Sequence, residues 1–479
     1  MTGKRGKPSG QPTGKRGQPT GKRGQPTGKR GQPTGKPTGK LPFPDAALVA
    51  YGKAHPGTGL TIGVVLELEG PPPGRRQLDA SLRPVAELLG TGPSDGGPWT
   101  GADGNAEAAP ERGLTDVAHE ALARPLEPHR WSCSTVAGLP GGTSALVWRA
   151  DHRLLDGAGV VGVLAALTGA LGPDAHGPDA LGPGAHGLGA HGPGAATASP
   201  ARAEPWRARG ALHRAVTDPL RAAWLCGTPL LERRRGNAAE AAGDPPATLS
   251  YACAETDLGL LRGIARRHGT TVNDVYLAAL SGALRAQPQL HGPDGQMRAL
   301  VPVNVRGPGD AAVLRNRHIP LRIPLPVAEP DAGRRLSLVA ARTAGRARAL
   351  RHPLVRAVFR SVPAVAGGWC FERYFDPGRA TLLASNVRGP SSPLVVAGRR
   401  VLRILPLNFL PAGHRLSTVL ATAQGRAVAG FTTTEPRSAA ESFAAAWLGE
   451  LRVLATAGPW GRVQAAGADA TASPAASAR

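Results

Sequence analysis

At 479 residues with a formal charge of +23, the chain can bury a large core, and its length suggests two to three domain-sized units. The charge is lopsided: eleven Lys or Arg and no acid lie between Met1 and Lys40, and Lys53 is the only later lysine, which argues against a selected nucleic-acid-binding face. Four cysteines, Cys133, Cys226, Cys253 and Cys370, form no CxxC pair, which argues against a zinc site or a disulfide framework and fits a reducing cytoplasm. No run of about 18 apolar residues occurs and no secretory apolar region follows the basic start, so the expectation is a cytoplasmic protein, soluble or peripheral at a membrane.

Residues 2 to 40 repeat a TGKRGQP-like heptad without apolar positions. A coiled coil is thereby excluded, and the expectation for 1–41 is a disordered basic tail. Gly59 to Glu69 reads as a strand and Gln77 to Leu89 as a helix, followed by a Gly/Pro/Asp-rich loop over 90–113 in which Trp99 would serve as a packing anchor. Leu114 to Ala123 is helical by pattern and is stopped by Arg124-Pro125. Gly138 and the Gly141-Gly142 pair supply the backbone freedom for a hairpin.

The chemistry concentrates in residues 143–171, TSALVWRADHRLLDGAGVVGVLAALTGAL. An apolar run, Ala145 to Trp148, stops at Asp151-His152; Asp156-Gly157 follows, and then an Ala/Val/Leu-rich segment. This predicts strand, bend, helix. His152 at the end of a buried strand, with Asp156 four residues later, has the ingredients of an oriented general base, although a structural histidine held by hydrogen bonds would present the same residues. Neighbours on a strand face opposite ways, so Asp151 is not expected to share a cleft with His152.

Residues 172–203 are low-complexity Gly/Pro/His sequence and read as a linker. A basic amphipathic helical region over 204–234 follows, then a strand at Leu249 to Glu255. Thr271-x-x-Asp274 marks a helix start, with the carboxylate near the positive end of the dipole. Residues 298–306, RALVPVNVR, read as a strand, and LRNRHIPLRIPL as a second one leading to a helix. Leu354 to Phe371 mixes large apolar residues with Arg356 and Arg360, which suits either contact with a membrane surface or a core-packed helix. A strand pair and helix over Arg415 to Leu454 close the pattern, and 457–479 is expected to be disordered.

The DHRLLDG stretch resembles the HHxxxDG signature of the chloramphenicol acetyltransferase-like superfamily, with Asp151 in place of the first histidine. Around it, RPLEPHRWSCSTVAGLPGGTSALVWRADHRLLDG is similar to the bacterial wax ester synthase/diacylglycerol acyltransferase pattern, where His129 and Arg130 stand at positions usually Pro and Leu. TVNDVYLAALSGALR resembles the family's Asn-Asp element, and ASNVRGP its Ser-Asn-Val-Pro-Gly-Pro element, with Arg388 for the first proline. Four such elements in order, spanning roughly 42–456, identify the chain as a member of that family.

The resemblance implies an α/β fold, with two chloramphenicol acetyltransferase-like subdomains, 42–171 and 204–456, around a central substrate tunnel. It implies an O-acyltransferase that takes acyl-CoA as co-substrate and a fatty alcohol or diacylglycerol as acceptor, with no cofactor or metal and with possible contact at the inner membrane or lipid droplets. His152 would be the base, acting without a covalent intermediate, and Asp156 would pair with an arginine. Gly157 would let the chain bend where a side chain would block the cleft, and Asn273 and Asp274 would lie beside the tunnel as substrate or oxyanion candidates. Two alternatives stay open: a condensation-type enzyme using a carrier-protein thioester, and a lapsed homologue that binds lipid without turnover.

Overall fold

A computed structural model describes residues 42–90, 112–169, 217–227, 249–291, 295–307, 310 and 313–458. The basic tail, the Trp99 loop, the Gly/Pro/His linker, most of 204–234 and all but the first two residues of 457–479 lie outside the described residues.

The first sheet is organised on β1 (Thr61–Leu68), whose sequence TIGVVLEL is buried on both faces. Alternation sends Ile62, Val64 and Leu66 to one core, and Val65 to another. The first core is closed by α2 (Arg75–Leu89) and α4 (Gly157–Leu167), the second by α3 (Leu114–Ala123). β2 (Trp131–Leu139) and β3 (Thr143–Asp151) form the expected hairpin, with Gly138, Gly141 and Gly142 all at positive φ. The sheet order is β2-β3-β1-β9-β8, where β8 is Val395–Val396 and β9 is Arg399–Leu407.

The second sheet has six strands, β4 (Ser250–Asp257), β11 (Arg426–Thr433), β10 (Leu416–Ala423), β7 (Leu382–Arg388), β5 (Met297–Asn304) and β6 (His318–Leu325), in that spatial order. β7 runs parallel to β10 and β5, and the other pairs are antiparallel. Helices α6 (Leu258–Arg267), α7 (Val272–Arg285), α8 (Ala332–Thr343) and α12 (Arg437–Thr456) pack around it. α7 is buried nearly all round, which explains why its sequence is apolar beyond one stripe. A helical segment at 217–227 (α5), the short α9 (Arg346–Leu350), α10 (Pro353–Ser361) and α11 (Val365–Tyr374) complete the described helices. α11 lies on α1 (Phe43–Ala54), where Gly367 and Gly368 bring the two backbones close to Ala47 and Ala50.

One expectation needs correcting. The division into 42–171 and 204–456 does not follow the sheets, because β8 and β9 return from the second half of the sequence to complete the first sheet. β9 also ties the sheets together. Tyr251 donates to the Pro406 carbonyl at 2.9 Å, and a side chain at Gly430 would stand 2.9 Å from that same oxygen.

Candidate active site

The strand, bend and helix expected around His152 are present. β3 ends at Asp151, whose N–H donates to the Arg130 carbonyl, while the His152 N–H donates to the Leu60 carbonyl at 2.8 Å. The Asp151 carboxylate folds back into the turn, accepting from the Arg153 N–H at 2.8 Å and pairing with its guanidinium at 3.6 Å. Asp151 therefore shapes the bend and does not line the cavity that His152 lines. Burial pushes its carboxyl up from the ordinary value, against the opposing pull of Arg153.

Asp156 is the cap of α4, accepting from the Gly159 N–H at 3.0 Å. Its two oxygens also receive the fork of Arg306 at 2.8 and 2.9 Å and the Arg317 N–H at 3.0 Å. Burial alone would raise its pKa, but the Arg306 charge outweighs burial and holds the carboxyl well below the usual range. Arg306 donates in addition to the carbonyls of Val313 and Arg315, so one guanidinium clamps the 305–317 loop to the turn that carries His152. A second clamp runs from α1: buried Asp45 accepts from Asn316 Nδ2 at 2.9 Å, and the same amide nitrogen donates to the His152 carbonyl at 2.9 Å.

At Gly157 the structure asks for steric room beside the cavity more than for a bend. The extended residue is Asp156, and Gly157 is already helical. A Cβ at 157 would meet Val387 Cγ2 at 2.6 Å. Gly157→Ala should destabilise the fold by about 1 to 3 kcal/mol, and adding Val387→Ala should recover part of it. Urea denaturation of the three variants checks this, and no recovery in the double variant would show that the contact is not the cause.

His152 stands in the wall of a cavity of about 70 Å³ between the two sheets. Ile62, Val160, Leu164, Ile404 and Val419 make its apolar lining, and Ser385 and Asn408 supply polar groups besides the imidazole. The ring packs edge-on against Phe409 at 5.3 Å and lies 6.0 Å from the ring of His318. Its Nδ1 is shut off from solvent without a well-formed hydrogen bond. Burial, reinforced by the neighbouring His318, lowers its pKa to about 4, so near neutral pH the imidazole is free to accept a proton.

The Asn273-Asp274 pair does not join this cavity. Thr271 caps α7 and Asp274 completes the capping box, accepting from the Thr271 N–H at 3.0 Å and from Thr343 Oγ1 at 2.6 Å. Asn273 is buried beside β7, its Oδ1 accepting from Asn386 Nδ2 at 3.3 Å. Alternation along β7 puts Ser385 and Val387 in the cavity and turns Asn386 towards α7, so Ser385, rather than Asn273, is the polar group facing His152 from this strand. Sequence reasoning did not single out Arg306, Asn316 or His318 as site residues. The RALVPVNVR and LRNRHIPLRIPL stretches that contain them read as strands and resemble the family's Val-Pro-Val-x-Val-Arg and Asn-Arg strands, with no role attached to these three side chains.

Part of the chain matches a known family, and the fold matches solved structures more widely. The WS/DGAT C-terminal domain matches residues 304–441. A probable diacylglycerol O-acyltransferase of Mycobacterium tuberculosis is 31% identical over 181 residues, covering 36% of this chain and 38% of that protein. An O-acyltransferase WSD of Acinetobacter baylyi is 27% identical over 176 residues, again covering 36% and 38%. The chain thus spans well under half the length of the curated relatives it matches. The fold similarity reaches further. The wax ester synthase/diacylglycerol acyltransferase of Marinobacter aquaeolei superposes with a TM-score of 0.53 at 17% identity, covering 87% of this chain and 98% of that one. The first condensation domain of the calcium-dependent antibiotic synthetase gives a TM-score of 0.53 at 17% identity, covering 87% and 96%. Residues 304–441 thus match the WS/DGAT C-terminal domain, and the described chain has the two-sheet α/β fold seen in the Marinobacter wax ester synthase/diacylglycerol acyltransferase and in condensation domains.

Proposed function

We propose that the chain is an O-acyltransferase that moves a long-chain acyl group from coenzyme A to the hydroxyl of a diacylglycerol or fatty alcohol. The observation that carries this reading is an imidazole kept unprotonated by burial in the wall of an apolar cavity between two sheets. In the reaction His152 takes the proton of the acceptor hydroxyl as its oxygen attacks the thioester carbonyl. The carbon–sulfur bond then breaks, and His152 returns the proton to the thiolate, so no acyl-enzyme is needed. Ser385, which lines the same cavity, would donate to the oxyanion. Asp156 and Arg306 touch neither substrate and hold the turn. Asn273 supports β7 through Asn386.

A second cavity of about 130 Å³, lined by Phe43, Phe359, Phe371, Tyr374 and the ring of His318, is apolar and suits the hydrocarbon of the acceptor. Next to it Leu354 and Val358 on α10 and Trp369 on α11 are exposed, with Arg360 among them. These residues fit a peripheral contact with an anionic lipid surface. No helix among the described residues is long and apolar enough to cross a membrane. Replacing Leu354 and Val358 together by Glu should weaken binding to phosphatidylserine-containing vesicles more than tenfold, since each buried side chain is worth about 1.5 to 3 kcal/mol. Unchanged flotation of the double variant would rule this face out.

The test of the activity is direct. Purified protein and His152→Ala are offered palmitoyl-CoA with hexadecanol or diolein, and free CoA thiol and ester are followed. Turnover by the parent alone supports the reading. Consumption of a carrier-protein thioester instead of acyl-CoA would favour a condensation-type enzyme, and lipid binding without turnover a lapsed homologue.

A further inference from the structure

His318 is a second imidazole at the site, beside the Asp156 network. It opens β6 at the edge of the six-stranded sheet, opposite Asn304. Its Nδ1 is 3.8 Å from Asp156 Oδ2, beyond hydrogen-bond reach. The carboxylate has no need of it: Asp156 already accepts from Gly159, twice from Arg306, and from Arg317, which fills the four or so lone-pair sites of a carboxylate. The His318 side chain is 13% exposed and sits at the edge of the Asp156 network. The ring lines the apolar cavity on one side and faces His152 at 6.0 Å on the other. The groups around it are Asp156 with Arg306, His152, and, across the cavity, Tyr374, Cys226 and Cys370.

Resting on the acyltransferase reading, we propose that His318 binds the acceptor hydroxyl. An N–H of His318 donates to the alcohol oxygen while the alcohol O–H donates to His152, so the two rings fix the oxygen from either side before attack. The ligand class is a primary or secondary alcohol with a hydrocarbon chain. The thioester does not meet this ring.

The experiment measures steady-state turnover of palmitoyl-CoA with varied hexadecanol for the parent protein, His318→Val and His318→Gln. His318→Val should raise KM for hexadecanol about tenfold, the equivalent of one hydrogen bond, and leave KM for palmitoyl-CoA within twofold. His318→Gln, which keeps a donor, should regain most of the loss. A parental hexadecanol KM in His318→Val would overturn the proposal. So would equal damage in both variants with the donor KM raised as well, because that pattern belongs to a ring that merely props the turn. Absence of turnover in the parent protein would sink the acyltransferase reading itself, and this inference with it, and so is distinct from either result.

Discussion

His152→Ala is expected to lower kcat/KM for acyl transfer by about 10² to 10⁴, the worth of a positioned general base. The magnitude follows from three features. The ring is at the wall of the inter-sheet cavity. It is unprotonated across the neutral range, its pKa lowered from 6.5 to about 4 by burial and then by His318. Its backbone is fixed at both ends, the N–H on Leu60 and the carbonyl on Asn316. The main-chain clamps survive truncation of the ring and the buried Nδ1 makes no hydrogen bond to lose, so the variant should stay folded. Circular dichroism alongside free-thiol release checks both statements. A variant with parental turnover would remove His152 from the mechanism.

The largest effect on stability is expected from Arg306→Ala. It strands the Asp156 carboxylate in a buried site, and breaking such a pair costs about 3 to 5 kcal/mol. Because Arg306 also holds the Val313 and Arg315 carbonyls, the 305–317 loop and the His152 turn should loosen together. The pH dependence has a definite sign. Asp156 is depressed in the fold, so its contribution is present above the unfolded carboxyl range near pH 4 and is lost as pH falls through the lower folded value. His152 and His414 are likewise depressed, to about 4, so each contributes fully above 6.5 and loses that contribution as pH falls from 6.5 towards 4. Parental stability should therefore decline from pH 7 to pH 5 through the histidines, and further below through Asp156. In Arg306→Ala the part below pH 4 should vanish. Unfolding free energies from urea titrations at pH 8, 6, 4.5 and about 3 test the loss and its pH profile. An unfolding free energy within about 0.5 kcal/mol of the parent at pH 8 would contradict the clamp.

The sequence carried the local parts of this site well. The apolar run into Asp151-His152 and the Asp156-Gly157 bend gave strand, turn and helix, because both periodicities are local. Thr271-x-x-Asp274 likewise gave the start of α7, where Asp274 is wholly engaged as a cap and by Thr343. What stayed hidden depends on contacts distant in sequence. The partner of Asp156 is 150 residues away in a chain full of arginine. β7 is buried on its cavity side and packed against α7 on the other, so its sequence did not say whether Ser385 or Asn386 faces the cavity. The return of β9 to β1 left no local sign, and neither did His318, which sits in a stretch whose other residues simply read as strand.

The proposed transfer depends on a base held neutral by burial, and the pH dependence of kcat/KM for thioester turnover tests that most directly. A profile that stays flat from pH 8 down to about 5, with its acid limb near 4, is the predicted result. A limb centred near 6.5, the value of an imidazole open to water, would contradict it.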